Sequence, residues 1–184
     1  EVYRDFGLNV IYIEPIPKVF QKLEKKLADF PKMHAVQALI TDVDGKEYQF
    51  NVASNHGQSS SIFELGQHEE VWPNITFEKT IPLKSMTLPS MFERVNFNPS
   101  DYQALIMDTQ GSELLVLQGS ISILKNFKYI KTEAADFEIY QGCCQLYEID
   151  AFMKTHGYRE FSRKKFASKS GVGNCFDIVY ERED

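Results

Sequence analysis

Three apolar runs each stop at an acid. Residues 9–13 are followed by Glu14, residues 102–107 by Asp108, and residues 127–132 by Glu133. In open α/β sheets, ligands bind outside the carboxyl ends of the strands, so an acid at such a point stands where a ligand sits. A carboxylate after an early strand accepts both hydroxyls of a nucleoside ribose, which singles out Glu14. The same side chain also reads as a solvated acid capping the helix that follows. Asp108 lies between an apolar run and a glycine-containing turn. A carboxylate there orients a substrate hydroxyl, acts as a base or binds a cation. Its structural alternative is an acid at a helix N-terminus, favoured by the helix dipole. Glu113 reads as a first-turn helix acid with a structural role.

The histidines and cysteines offer less. No two of His34, His56, His68 and His156 share metal-ligand spacing, and no metal site is expected. His56, in the polar loop 55–61, is either a general base or a solvated side chain. His156 is positioned to close a helix C-terminus. Cys143 and Cys144 are adjacent and Cys175 is remote, a pattern that makes neither a disulfide framework nor a zinc site. Reduced thiols and a cytoplasmic location are expected. Cys143 has no base in sequence to activate it as a nucleophile. The basic run Arg163-Lys164-Lys165, with Lys169, reads as a solvated edge, or else as a surface for an anionic substrate.

The elements that must position these residues follow from apolar spacing. Residues 9–13 form a strand, and Val19, Phe20, Leu23 and Leu27 recur at helical spacing over residues 18–29, behind Pro17 at the helix start. Residues 34–40 are a second strand. The Asp42-Val43-Asp44-Gly45 turn, with Tyr48, Phe50 and Val52 alternating after it, predicts a hairpin. Residues 76–83 alternate again, and residues 86–94 suit a helix. Residues 102–107 form a strand, and Ser112 is positioned to cap a helix over residues 113–124 that Gly119 weakens. A strand over 127–132, a helix from Leu146 to a stop at Gly157, and a final strand over 175–180 complete the order. Alternating strands and helices predict an α/β fold with a mainly parallel sheet and helices on both faces. The segment 46–83 adds a β-hairpin insertion or antiparallel edge.

The chain has 184 residues, consistent with a single domain over 1–184. Its 43% hydrophobic and 25% charged content is that of a globular protein and excludes disorder. The net charge of −6 opposes a nucleic-acid binder, which carries a basic field. No apolar run approaches the ~20 residues of a membrane span. Residues 1–6 read as the end of a helix that Gly7 stops.

Two segments resemble the FkbM-type methyltransferases. Residues 11–27, IYIEPIPKVFQKLEKKL, are similar to that family's second strand and following helix. Residues 105–119, LIMDTQGSELLVLQG, match its pattern of Asp, any residue, Glu or Gln, Gly, any residue, Glu, and an apolar run ending Leu-any-Gly. Asp108, Gln110, Gly111, Glu113, Leu117 and Gly119 occupy those positions. Ala38-Leu39 with the Asp44-Gly45 turn resembles the family's third strand, residues 59–62 its serine-containing loop, and residues 146–158 its late helix ending in Gly-Tyr.

The resemblance implies a Rossmann-like class I methyltransferase fold that uses S-adenosylmethionine. It implies methyl transfer to a hydroxyl of a small molecule or glycan. Glu14 would hold the ribose, Ala38 and Leu39 would lie beside the adenine, and Asp108 would lie near the sulfonium and the acceptor. Glu133 would line the acceptor side. The chain departs from the family before Ile11, where no Gly-rich turn stands, so the first strand and Gly-rich loop are not expected within it. Leu88 is followed by Pro89, where the family often has Leu-Asp. Two alternatives stay open: a catalytically inactive, partner-binding Rossmann-like domain, and an NAD-dependent oxidoreductase. The latter needs a Gly-x-Gly-x-x-Gly turn about 20 residues before the acid. Only 13 residues precede Glu14, and the Asp108 motif favours methyl transfer.

Overall fold

The computed structural model describes residues 2–183. Helix α1 (Val2–Asp5) ends at Gly7, whose φ of 65° suits a residue without a side chain. Strand β1 (Val10–Ile13) then crosses through helix α2 (Pro17–Leu27) to strand β2 (Met33–Val36), and the two strands pair in parallel. Proline at the first position of α2 supplies a helical φ where no amide donor is needed. Both α2 and the β1–β2 pair follow the expectation from sequence.

The next region departs from it. The apolar run 34–40 is not one strand. It divides into β2 and a short β3 (Leu39–Ile40), and β3 pairs with a different partner. Strand β4 (Glu47–Ala53) does not fold back on β3. Strand β5 (Phe77–Met86) lies between them, in the order β3-β5-β4, antiparallel to β4 and parallel to β3. The turn at 42–45 therefore links strands that are not paired with each other, and the antiparallel pair is β4–β5. A short helix α3 (His68–Val71) interrupts the intervening loop.

Helix α4 (Leu88–Val95) is capped by Thr87, whose hydroxyl accepts the Ser90 amide at 3.3 Å. The C-terminal half contains β6 (Ala104–Met107), α5 (Glu113–Gly119), α6 (Ile121–Leu124), β7 (Tyr129–Ala135), α7 (Leu146–Thr155), β8 (Tyr158–Lys169) and β9 (Gly173–Arg182). The helix expected over 113–124 is two helices. A side-chain carbon on Gly119 would sit 2.2 Å from the Thr41 carbonyl oxygen, so this glycine lets the helix touch the chain after β3. Ser112 does not cap α5; its hydroxyl donates to the Thr109 carbonyl at 3.1 Å. His156 closes α7, with Nδ1 2.8 Å from the Phe152 carbonyl.

The last sheet has the order β6-β7-β9-β8. Only β6–β7 is parallel; β7–β9 and β8–β9 are antiparallel. The basic run Arg163-Lys164-Lys165 belongs to β8, an edge strand with two bulges, at Phe161 and Phe166. The architecture is thus mixed α/β in several sheets, and the expectation of a mainly parallel sheet is corrected. Parallel neighbours need a crossover helix, whereas the tight β8–β9 connection allows only antiparallel pairing. Met107, Ile130, Ile178 and Tyr180 face α4, α5, α6 and α7 in the main core. The other face is wetter: Ile106 is 53% exposed, and Lys131 pairs with Asp177 at 2.5 Å.

Candidate functional site

Among the described residues, strands β1 and β6 are each paired on one side, and both line a groove of about 960 Å³. That volume lies within the range of small-molecule and cofactor sites. Glu14 enters the groove just past β1. Its carboxylate accepts the Ile16 amide at 2.7 Å, immediately before α2. One carboxylate oxygen thus holds the backbone just before α2, which has no side-chain cap, and the second oxygen is left for a ligand. Burial raises the Glu14 carboxyl above its ordinary range, and the Ile16 amide opposes that.

Ala38 and Leu39, at the start of β3, are buried and present apolar surface to the same groove. The loop after β4 adds Gly57, Gln58 and Ser60. Gly57 has φ 86°, and a side-chain carbon there would lie 2.9 Å from Ile16 Cδ1, so a glycine permits the close approach of loop to α2. His56 precedes it but does not line the groove.

Asp108 follows β6 and lines the groove with one side open to solvent. The surrounding protein raises its carboxyl above the ordinary range. The Gln110 side-chain amide and Lys131 pull it down, and Asp177 pushes it up. The loop from Asp108 to Glu113 is firmly held. Glu113 is only 4% exposed, and its two carboxylate oxygens accept the amides of Thr109 at 2.8 Å and Gly111 at 2.9 Å. Gln110 adopts φ 53° and its carbonyl accepts the Ser61 hydroxyl at 2.6 Å. The structural role read for Glu113 is thus to hold the backbone of the loop that carries Asp108.

Glu133 is not at a strand end, because β7 continues to Ala135. It does not line the groove. It stands opposite Asp177 on β9, within the field of Asp108, Asp177 and Glu113. Burial first, and then those acids, push its carboxyl from 4.5 to about 7. Glu14, Ala38, Leu39 and Asp108 therefore meet around one groove, while Glu133 joins it through charge rather than contact.

Tyr140 carries no signal in the sequence and yet touches the site. It is 1% exposed, and its hydroxyl donates to Gln110 Oε1 at 2.6 Å. Thirty residues separate the pair, beyond any local pattern. Burial pushes the Cys144 thiol up to about 12 and raises Cys143, which leaves both as unreactive thiols at neutral pH. Among the described residues no three His, Cys, Asp or Glu side chains are grouped to hold a metal ion.

The family pattern described as the methyltransferase FkbM domain matches residues 1–160. The chain belongs to the FkbM methyltransferase family. The match takes in every groove residue named above and ends at the start of β8. A curated relative in this setting is the 2-O-methyltransferase NoeI of Sinorhizobium fredii (strain NBRC 101917 / NGR234). It is 24% identical over 135 residues, which cover 70% of this chain and 54% of that protein. The chain thus spans about half the length of the curated relative it matches. No solved structure gives a significant match. Among the described residues no helix of this family member is long and apolar enough to cross a membrane.

Proposed function

We propose that this chain carries the catalytic half-site of an S-adenosylmethionine-dependent O-methyltransferase acting on a hydroxyl of a small molecule or glycan. One observation carries the reading: two carboxylates, Glu14 and Asp108, stand at the carboxyl ends of two strands across one groove of cofactor size. The relative's 2-O specificity supports oxygen as the methyl acceptor, and family membership favours methyl transfer over hydride transfer.

The groove residues fit the cofactor's nucleoside half. Glu14 would accept the ribose hydroxyls on the oxygen not used by Ile16, and Ala38 and Leu39 would flank the adenine with apolar surface. When bound, S-adenosylmethionine supplies a methyl group on a cationic sulfur. Asp108 offers a carboxylate to that charge and to the acceptor hydroxyl. Transfer is an in-line displacement, so the chief contribution of the protein is orientation. The hydroxyl proton goes to Asp108, the carboxylate that lines the groove, and the charge of Asp108 is felt by Glu133. Asp108 serves as the general base, and Glu133, pushed to about 7 by burial and by acids that include Asp108, acts on it through charge from outside the groove.

The free edges of β1 and β6 also support the Rossmann-like reading of the fold. A parallel strand between them would join β2-β1 to β6-β7 in one sheet. We assign that position to the family's first strand and its Gly-rich loop, which would serve the methionine end of the cofactor.

The test is calorimetric titration of S-adenosylmethionine into this chain and into the chain extended upstream in its gene. Glu14→Ala in whichever form binds is expected to weaken affinity about 10- to 100-fold, as for loss of hydrogen bonds to a charged acceptor. Unchanged affinity removes Glu14 from the site. Absence of binding to both forms overturns the enzyme reading and leaves a partner-binding domain.

A further inference from the structure

We propose that Tyr140 is a positioning residue for Asp108: its phenol fixes which way the Gln110 side-chain amide points, and that amide holds the Asp108 carboxylate. The inference rests on the reading of Asp108 as a site residue.

The contacts form a chain. Tyr140 is enclosed, with its ring 5.3 Å from that of His68 and its amide 3.4 Å from Cys143 Sγ. The phenol hydrogen goes to Gln110 Oε1 at 2.6 Å; among the described residues the other acceptor it meets is the Ser59 carbonyl, at 3.4 Å. The opposite end of the same amide, Nε2, donates to Asp108 Oδ1. A carboxamide has one donor end and one acceptor end. Once the phenol holds the oxygen, the NH₂ group must face the carboxylate. Rotated by half a turn, the amide would set its oxygen against Asp108, acceptor against acceptor.

The backbone of Gln110 cannot absorb that rotation. Its carbonyl is held by Ser61, and the amides on either side, of Thr109 and Gly111, are held by Glu113. Only the side-chain amide is free to turn, and Tyr140 removes that freedom. The charged groups around Asp108 make the contact matter. Glu133 and Lys131 on β7, Asp177 on β9 and Glu113 on α5 surround it. Lys131, the cation of the set, is tied to Asp177 at 2.5 Å. The Gln110 amide is therefore the main group that favours a charged Asp108 among mostly acidic neighbours.

The experiment is a carbon-13 NMR titration of the aspartate carboxyls in the wild type, Tyr140→Phe and Gln110→Met, with Asp108 assigned from Asp108→Asn. It needs neither cofactor nor acceptor. Both variants are expected to raise the Asp108 midpoint by about one pH unit, the low end of what losing a hydrogen bond to a charged group moves. Tyr140→Phe keeps the ring, so a change in packing alone leaves the midpoint in place. A shift in Gln110→Met without one in Tyr140→Phe overturns the role of Tyr140. No shift in either overturns the whole chain of contacts. If Tyr140→Phe fails to fold, the wild-type proton spectrum decides the matter: a slowly exchanging Tyr140 hydroxyl proton close to the Gln110 side chain is expected, and a freely exchanging one overturns the role of Tyr140. Separately, unchanged S-adenosylmethionine affinity in Asp108→Asn, in the form that binds it, overturns the reading of Asp108 itself, whatever the titration gives.

Discussion

Glu113 offers the sharpest test of how the site is built. Its buried carboxylate spans two backbone amides of the Asp108 loop, one on each oxygen, at 2.8 and 2.9 Å. Glu113→Gln keeps the shape but leaves only one acceptor. One amide then faces a second donor, and an unmet buried donor costs about 1–3 kcal/mol. Removing a buried charge returns part of that, since burial and the Asp108 charge both raise the Glu113 carboxyl. A net loss of about 2 kcal/mol is expected, or a fall in Tm of about 4–8 °C for a chain of this size. Glu113→Ala leaves both amides unmet and opens a cavity, so about 4 kcal/mol is expected. The assay is thermal unfolding by circular dichroism at pH 7, with hydrogen exchange read at the Thr109 and Gly111 amides. A glutamine variant within 1 °C of wild type, or an alanine variant no worse than glutamine, would refute the account of Glu113 as the clamp of this loop.

Other outcomes follow from the same geometry. Asp108, Glu113 and Glu133 all have folded-state carboxyls raised above their ordinary values. Folding therefore takes up protons, and the stability this gives is full below about pH 4 and lost as pH rises through about 7 for Glu133. The chain is expected to be more stable to urea at pH 5 than at pH 8 by about 2 kcal/mol, allowing for the half-solvated setting of Glu133. Glu133→Gln should remove most of that difference, and an equal slope in the variant would count against it. Gly119→Ala should lower Tm by 5 °C or more, because its new carbon would meet the Thr41 carbonyl at 2.2 Å. A neutral result would mean that α5 and the chain after β3 separate freely.

Much of the frame could be read from residue types, because its signals are local. Proline at the start of α2 and the apolar spacing of Val19, Leu23 and Leu27 mark that helix in the local sequence. The run from Ile11 to Glu14 and the Asp108–Gly119 motif located both carboxylates of the groove. The failures share one cause, which is choice of partner. Residues 34–40 look uniform in sequence, but Val36 pairs with β1 and Leu39 with β5. Gly119 looks like a mild helix weakener until Thr41 is found against it. Strand β8 shows no alternation because both its faces are wet, so its charges hide a strand of 12 residues. Tyr140 reaches Gln110 only through the fold, and nothing near either residue announces the other.

The two bulges of β8 bear on how this protein stays apart from its neighbours. A free strand edge of 12 residues is a template on which another chain can extend a sheet. Phe161 and Phe166 each stand outside the ladder, and the regular stretch between them is only residues 162–165. Cross-β stacking requires about six or seven residues in unbroken register with little charge. Here the register resets on both sides of a segment that carries Arg163, Lys164 and Lys165. Removing either phenylalanine by deletion would join two short ladders into one of about seven residues, and the cations Arg163, Lys164 and Lys165 would then be left as the guard of this edge.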